Sequence, residues 1–323
     1  MPTNFPIFDL DAFGVADGAG KIVLARDLDQ ICRETGFLAV GNHGVPQDTI
    51  NSVWAETERF FRQPQSQKQR TRAPYAGYPY GYLGPGSEAL AASRGIATPP
   101  DLKESFNGGP LAIPTGEIDS AALEFCYAET IWPPEMPEFR TAWRAYYCEM
   151  EALAGRIMQA CAVALALPED YFAPFIDAPI SALRALNYPA QTLPPEPGQL
   201  RAGAHSDYGS LTILLPQSGS RGLEILSPTG EWSEVPPIPD AFVVNIGDLM
   251  ARWTNDRWVS TLHRVVNDGS QKSRQSLAFF HQPNWSAEIE TLPSCVEPGQ
   301  KLAYQKVYSG PYLMDKFRST SKG

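Results

Sequence analysis

The hydrophobic pattern divides the chain into a helix-rich first half and a strand-rich second half. Apolar residues near helical spacing predict a helix over Lys21–Thr35, with Gly36 as its stop. A second helix is predicted over Thr49–Phe61, capped by Asp48. The longest helical pattern covers Glu138–Leu167 and has a proline on either side. These three predicted helices all lie before residue 176.

Short strands dominate from residue 180 onwards. The apolar or β-branched runs are separated by Gly, Pro, Asp and Ser clusters, and they read ALRALNY, SLTILLP, GLEIL, AFVVNI and RQSLAFFHQ. Helices would pack on the outside of such a unit. We therefore expect one compact domain over 1–323, mixed α/β with a mainly antiparallel core. Its parts are a helix-rich region (1–175), a β core (176–290) and a C-terminal helical tail (291–323).

Residues 71–118 lack regular periodicity and are rich in Pro, Gly and Tyr. Loops of this length are uncommon unless they are functional or disordered, and the many tyrosines argue against disorder. We predict a long ordered loop that lies across another part of the molecule. The stretch Tyr75–Tyr82 is a candidate lid or pocket wall, and core packing is the alternative for each of its aromatic residues.

Composition narrows the class of protein. The formal net charge of -10 argues against nucleic-acid and anionic-membrane partners, because phosphate contacts need clustered Lys and Arg. Five scattered cysteines without a CxxC pair fit neither a disulfide framework nor a structural zinc site. The N-terminus lacks the pattern of a signal peptide, and no apolar run has the length of a membrane span. We expect a cytoplasmic monomer.

Three residues form a candidate metal site. His205 and Asp207 are two positions apart at the start of a predicted strand, so their side chains face the same way. His263 begins another apolar stretch. Two imidazoles and one carboxylate on one face of a metal leave positions free for oxygen and substrate, as in non-haem iron(II) oxygenases. The alternative is a hydrogen-bonded His-x-Asp turn and an unrelated core histidine.

The remaining two histidines are weaker candidates for ligands. His43 lies in the turn-like NHGVP, and His281 has no carboxylate nearby in the sequence. A zinc hydrolase could also use His, Asp and His, but the sequence places no obvious general base beside them.

The chain resembles the isopenicillin N synthase-like family of iron(II)- and 2-oxoglutarate-dependent dioxygenases almost from end to end. The resemblance rests on FPIFDLDAF, CRETGFLAVGNHGVP, HSD, NIGDLMARWTND, LHRVVN and RQSLAFFHQP, in this order. It implies a double-stranded β-helix (jelly-roll) core wrapped by helices. It also implies that the candidate metal site holds Fe(II).

The resemblance assigns a second group of residues to the co-substrate. Arg274 and Ser276 are two apart on a strand, and an Arg fork pairs well with a carboxylate, although most Arg side chains face solvent. In the family this RxS pair binds the distal carboxylate of 2-oxoglutarate. Tyr188 matches a tyrosine that adds a further hydrogen bond. The metal and the Arg would thus hold the two ends of 2-oxoglutarate.

The implied reaction is an Fe(II)- and 2-oxoglutarate-dependent oxidation by O2. A small-molecule substrate is hydroxylated, desaturated or cyclised, with release of succinate and CO2. Two alternatives stay open: an oxidase of the same family that does not use 2-oxoglutarate, and a non-catalytic cupin-like binding protein.

Strand parity suggests residues that contact the substrate. Phe280 and Gln282 share parity with Arg274, and Arg184 shares parity with Tyr188. An inward Arg184 needs an anionic partner, which is either a carboxylate of the substrate or an acid of the chain itself. The stretch near Phe106 is a further candidate for the pocket wall.

Overall fold

The computed structural model describes residues 5–75, 77–96, 98–191, 195–267, 272–297 and 299–320. Its helices are α1 (Leu10–Val15), α2 (Gly18–Glu34), α3 (Gln47–Phe61), α4 (Gln65–Lys68), α5 (Ser120–Phe125), α6 (Pro137–Ala164), α7 (Asp248–Trp253) and α8 (Ser309–Thr320). None of the helices in these described ranges is long and apolar enough to cross a membrane.

Most strands belong to two sheets that face each other. The strands are β1 (Ile7–Asp9), β2 (Phe37–Gly41), β3 (Gly81–Leu83), β4 (Glu104–Gly108), β5 (Ala182–Tyr188), β6 (Ala202–His205), β7 (Leu211–Pro216), β8 (Leu223–Leu226), β9 (Trp232–Glu234), β10 (Phe242–Ile246), β11 (His263–Val265), β12 (Arg274–His281), β13 (Glu288–Ile289) and β14 (Val307–Tyr308). The large sheet has the order β1-β2-β10-β7-β12-β5-β4-β3, and the small sheet has the order β6-β11-β8-β9. Strands β13 and β14 pair separately.

An apolar cluster lies between the two facing sheets. Leu186 and Ala278 contribute to it from the large sheet, and Leu223, Ile225 and Val265 contribute from the small sheet. Within the described residues, all strand pairs of these two sheets are antiparallel except β1 with β2. The predicted double-stranded β-helix with a mainly antiparallel core is confirmed.

Helix α6 packs on the outer face of the large sheet. Its Tyr147 ring lies 5.2 Å from Phe279 of β12. The helix ends at Ala164, three residues before the predicted end. Ala166 adopts a left-handed conformation (φ 57°), and Leu167 N–H returns to the Ala162 carbonyl, a hydrogen bond that ends a helix. The sequence pattern continued past this cap because Leu165 and Leu167 are also apolar.

The earlier helices begin close to their predicted positions. Helix α2 is capped by Asp17, whose side chain accepts from Gly20 N–H, and Gly36 follows with a positive φ of 62°. A Cβ at Gly36 would lie 2.0 Å from the Val259 carbonyl oxygen, so this stop requires glycine. The prediction that Asp48 caps α3 was wrong, because Asp48 lies within the first turn and the N-cap is Pro46.

The long loop contains two strands that the sequence did not reveal. Strands β3 and β4 extend the edge of the large sheet, and every residue of β4 is buried. The β4 sequence ESFNG has no β-branched residue and no apolar alternation, so its pattern gave no strand signal. A 3-10 helix over Leu90–Arg94 lies against β6. The described part of this loop therefore contributes β3 and β4 to the barrel wall.

Candidate metal centre

Strand pairing brings the three predicted ligands together. His205 ends β6 and His263 begins β11, and these two residues are direct partners in the antiparallel pair. Their rings have centroids 4.3 Å apart. Asp207 follows two residues after His205, where the chain turns towards β7. The turn is held by Asp248 N–H, which donates to the Asp207 carbonyl over 2.7 Å.

The donor atoms converge on one point. His205 Nε2 lies 3.9 Å from Asp207 Oδ1, and His263 Nε2 lies 3.7 Å from Asp207 Oδ2. One donor atom from each of the three residues lies within 4.8 Å of the other two. Donors that share an ion at bond lengths of about 2 Å must lie at most about 4 Å apart, so this set fits a single ion after a small inward shift. Two neutral nitrogens and a carboxylate suit Fe(II).

Each imidazole is oriented by a backbone carbonyl. His205 Nδ1 lies 2.7 Å from Gly203 O, and His263 Nδ1 lies 3.2 Å from Thr261 O. With Nδ1–H donating to these carbonyls, Nε2 of each ring carries the lone pair that faces the metal position. Burial, and then the neighbouring His263, lower the pKa of His205 well below its usual range, which favours the neutral ring.

The carboxylate of Asp207 is held in its ionised form. Burial raises its pKa, but the adjacent His263 and His205 and hydrogen bonds from Thr212 and Asn245 lower it further than burial raises it. Asn245 Nδ2 donates to Oδ2 over 2.8 Å. Asn245 belongs to the NIGDL motif, and its hydrogen bond to Asp207 was not predicted from the sequence. The available signal was a single amide in the otherwise apolar strand AFVVNI.

The predicted co-substrate residues lie together on β12 and β5. Arg274 pairs with Tyr188 across the two strands, and its guanidinium lies 5.1 Å from the centre of the Tyr188 ring. Arg274 Nε also donates to Ser220 Oγ over 3.2 Å. Ser276 lies two residues further along the same strand, and both Arg274 and Ser276 are buried. The group provides a buried cation and hydroxyl donors inside the barrel.

Arg184 has its anionic partner within the chain. Its Nη2 donates to Glu88 Oε1 over 2.7 Å and its Nε donates to Asn107 Oδ1 over 2.6 Å. Burial raises the pKa of Glu88, but Arg184 and Lys103 lower it more, to about 2, so the pair is ionised. Of the two alternatives for Arg184, the intramolecular acid is the one observed. Glu88 lies in the loop that the sequence left unassigned.

Phe280 and Gln282 differ in their surroundings although they share parity. Phe280 is half-buried and packs against the cluster inside the barrel. Gln282 lies beyond the end of β12, is 2% exposed, and its amide donates to Ser309 Oγ over 3.0 Å. The prediction that Gln282 contacts the substrate was wrong, because the parity rule stops where the strand stops. Gln282 instead attaches α8 to the core.

Phe106 was also assigned wrongly to the pocket wall. It is fully buried, with Phe60, Phe139 and Trp143 at ring-centroid distances of 5.2, 5.0 and 5.2 Å. The side chain therefore belongs to the core between the large sheet and α6. On β4 the neighbouring Asn107 accepts a hydrogen bond from Arg184 on the opposite face.

The other two histidines contribute no donor to the group of three. His43 Nδ1 accepts from Val45 N–H over 3.0 Å, in the predicted turn. His281 is buried, with Nδ1 2.7 Å from Ser210 Oγ, and burial lowers its pKa to about 4.

Two family models and a relative found by sequence comparison all indicate a non-haem iron oxygenase. Residues 180–283 match the family model of the 2OG-Fe(II) oxygenase superfamily. Residues 5–135 match the model described as the non-haem dioxygenase in morphine synthesis N-terminal region. The chain is 32% identical to the 2-oxoglutarate-Fe(II) type oxidoreductase hxnY of Emericella nidulans, over 95% of this chain and 87% of the relative.

A second relative and a solved structure agree with this. The chain is 31% identical to the validamycin A dioxygenase of Streptomyces hygroscopicus subsp. limoneus, over 93% of this chain and 82% of that protein. A full-length Neurospora crassa protein, solved in complex with alpha-KG and thymine, superposes with a TM-score of 0.85 at 30% identity, covering 98% of this chain and 97% of that one. The chain belongs to the 2OG-Fe(II) oxygenase superfamily.

Proposed function

We propose that His205, Asp207 and His263 hold the Fe(II) of this oxygenase. The observation that carries the proposal is the convergence of their donor atoms within 4.8 Å at the end of β6. The bound iron supplies the oxidation chemistry, with O2 and 2-oxoglutarate as co-substrates. The chain itself positions the ligands through Gly203 O, Thr261 O and the Asn245 amide, as described above.

We further propose that Arg274, Ser276 and Tyr188 bind the distal carboxylate of 2-oxoglutarate. The guanidinium provides a charged fork, and the two hydroxyl groups provide further donors on the same inner face. A carboxylate in this place would receive charge-assisted hydrogen bonds from a buried cation, and its own charge would balance that cation. The cation–π contact with Tyr188 keeps the guanidinium plane in position.

The substrate, in this proposal, is a small neutral polar molecule that contacts Arg184 and Phe280. Glu88 neutralises Arg184, so the wall offers hydrogen-bond donors and an acceptor rather than a net positive charge. Phe280 offers an aromatic face beside them. A ring that displays both N–H and C=O groups matches this wall, and the thymine of the Neurospora crassa complex is such a ring. A substrate defined by its carboxylate matches it less well.

One experiment tests the proposed function as a whole. The protein is reconstituted anaerobically with Fe(II) and 2-oxoglutarate, exposed to O2, and screened against a metabolite pool for substrate-stimulated release of succinate. We expect one equivalent of succinate per oxidised substrate. Product without succinate would identify the oxidase that does not use 2-oxoglutarate, and iron binding without any O2 consumption would identify a binding protein.

We propose that the chain acts as a monomer in the cytoplasm and that its β core covers residues 176–290. Size-exclusion chromatography with light scattering tests the oligomeric state.

A further inference from the structure

Two charged residues, Asp101 and Lys103, are buried beside β6. Asp101 and Lys103 are 2% and 3% exposed. Buried charges are unfavourable unless they are paired and hydrogen-bonded. Their Oδ2–Nζ distance is 2.9 Å. Because neither charge is exposed to solvent, the pair does not serve the solubility of the protein.

The Asp101 carboxylate holds the backbone that orients His205. Its Oδ1 accepts from Gly203 N–H over 3.0 Å, and its Oδ2 accepts from Leu90 N–H over 3.2 Å. The carbonyl of the same Gly203 lies 2.7 Å from His205 Nδ1. Asp101 is therefore connected to the His205 imidazole through Gly203, whose N–H bonds Asp101 and whose C=O bonds His205.

Gly203 allows this arrangement because it has no side chain. A Cβ at this position would lie 2.9 Å from Ala91 N and 3.3 Å from Asp101 Oδ1. The 3-10 helix at Leu90–Arg94 and β6 thus approach each other closely, with the Asp101 carboxylate bonded to the backbone of both.

Lys103 extends the network to the substrate wall. Its ammonium lies 2.9 Å from Asp101 and 3.4 Å from Glu88 Oε2, and Glu88 in turn pairs with Arg184 at 2.7 Å. A continuous series of ion pairs and hydrogen bonds therefore runs from Arg184 to the His205 ring.

We propose that Asp101 is a positioning residue that fixes the His205 ring for metal binding, and that Lys103 joins this support to the Glu88–Arg184 pair. The proposal rests on the proposed role of His205 as a metal ligand. Asp101 touches neither metal nor substrate. It acts by holding Gly203, so that the Gly203 carbonyl keeps Nδ1–H bound and Nε2 directed at the ion.

Two simpler roles make different predictions. A purely structural pair would affect the stability of the fold but leave the metal affinity unchanged. A purely electrostatic pair would give opposite effects on metal affinity, because removing Asp101 removes a negative charge and removing Lys103 removes a positive charge. A positioning role predicts weaker Mn(II) binding in both cases, since either substitution weakens the hydrogen bond between Gly203 N–H and the side chain at position 101.

The test measures Mn(II) affinity of the full chain without 2-oxoglutarate, by the electron paramagnetic resonance signal of free Mn(II). The variants are Asp101→Asn, Lys103→Met and His205→Ala, and thermal unfolding of the metal-free proteins is recorded in parallel. The matched control is Lys68→Met, because Lys68 is also buried and pairs with a buried acid, Glu104, at 2.7 Å. This control should lower stability through the contact between α4 and β4.

We expect Asp101→Asn to raise the Kd for Mn(II) about tenfold, as outer partners of metal-bound histidines do. Lys103→Met raises it in the same direction, and Lys68→Met changes it by less than about twofold, because Lys68 hydrogen-bonds Glu104 and the Phe61 carbonyl rather than Asp101 or Gly203. An unchanged Kd in Asp101→Asn overturns the proposal. So do opposite shifts in the Asp101 and Lys103 variants, or an equal loss in Lys68→Met.

The His205→Ala variant separates this proposal from the proposed function. We expect it to lose Mn(II) binding. If it binds like the parent protein, the ligand assignment fails, and the positioning role fails with it. If it loses the metal while Asp101→Asn binds normally, only the positioning role fails.

Discussion

The two faces of the large sheet are built from the same strands and differ in almost every other respect. On β12, Leu277 and Phe279 point outward into the core formed with α6. Arg274 and Ser276 alternate with them and point into the barrel. The outer face is mainly aromatic and aliphatic where α6 covers it, whereas the inner face carries charges and hydroxyl groups beside its apolar cluster. Stability and chemistry are therefore assigned to alternate residues of one strand.

The barrel tolerates its buried charges because the two faces of the large sheet contribute differently to the fold. The outer face gains free energy from apolar contacts such as Tyr147 with Phe279, which need no hydrogen bonds. The inner face holds charged groups with specific partners, as Arg184 has in Glu88. Substitutions on the two faces should therefore have separable effects on stability and on activity.

The largest expected effect is the loss of a metal ligand on the inner side. His263→Ala should abolish iron binding and succinate release, because two donors do not hold Fe(II) in place. The measurement is iron content per chain after anaerobic reconstitution, followed by succinate release. Thermal unfolding of the metal-free protein is the control for folding, because the His263 ring is buried and packs against Phe37. Full turnover by this variant would contradict the ligand assignment.

Substitution of the adjacent residues Phe279 and Phe280 allows a direct comparison of the two faces of the sheet. Phe279→Ala should cost about 3–5 kcal/mol of unfolding free energy, because it leaves a cavity in the outer core. Phe280→Ala should cost less, because the ring is only half-buried, but should raise the KM for the substrate found in the screen. Urea unfolding and steady-state kinetics measure both variants. Equal stability losses would contradict the separation of the two faces.

Arg274→Met tests the other end of the proposed 2-oxoglutarate site. The apparent KM for 2-oxoglutarate should rise about 10–100-fold, which corresponds to a charged hydrogen-bonded contact of about 1.5–3 kcal/mol. Iron content should be unaffected, because Arg274 is not a ligand. A KM equal to that of the parent would place the co-substrate carboxylate elsewhere.

The smallest expected effect is on the stability of the protein at acidic pH, through His281 on the outward-facing side of β12. Burial lowers the pKa of His281 from 6.5 to about 4, so the unfolded chain binds a proton below pH 6.5 that the folded chain does not. Stability should therefore fall as the pH decreases, by about 2 kcal/mol between pH 6.5 and pH 5 from this residue. His281→Gln should show a shallower pH dependence in urea unfolding. Identical slopes for parent and variant would show that His281 is not protonated on unfolding.

Local strand patterns predicted the core, whereas the candidate metal group needed the order of several motifs along the chain. His205 and Asp207 were predicted at the start of a strand, but His205 ends β6 and Asp207 lies in the turn that follows it. Strand alternation placed Arg274 and Ser276 together, and the order of motifs supplied the family. The pairing of Arg274 with Ser276 depends on a short distance in sequence, where alternation along a strand fixes the side-chain direction.

Long-range pairing and unrecognised strands explain what the sequence did not predict. The partner of Arg184 is Glu88, 96 residues away, and Asp101 bonds Gly203 across 102 residues. No local pattern encodes such pairs. Phe106 was misassigned because β4 was not recognised as a strand, so its parity remained unknown.

The most direct measurement is a crystal structure of the protein prepared anaerobically with Mn(II) and 2-oxoglutarate. The account predicts one ion bonded to His205 Nε2, His263 Nε2 and the Asp207 carboxylate, with the distal carboxylate of 2-oxoglutarate on Arg274 and Ser276. An ion bound by other residues, or a 2-oxoglutarate carboxylate on Arg184 instead of Arg274, would contradict it.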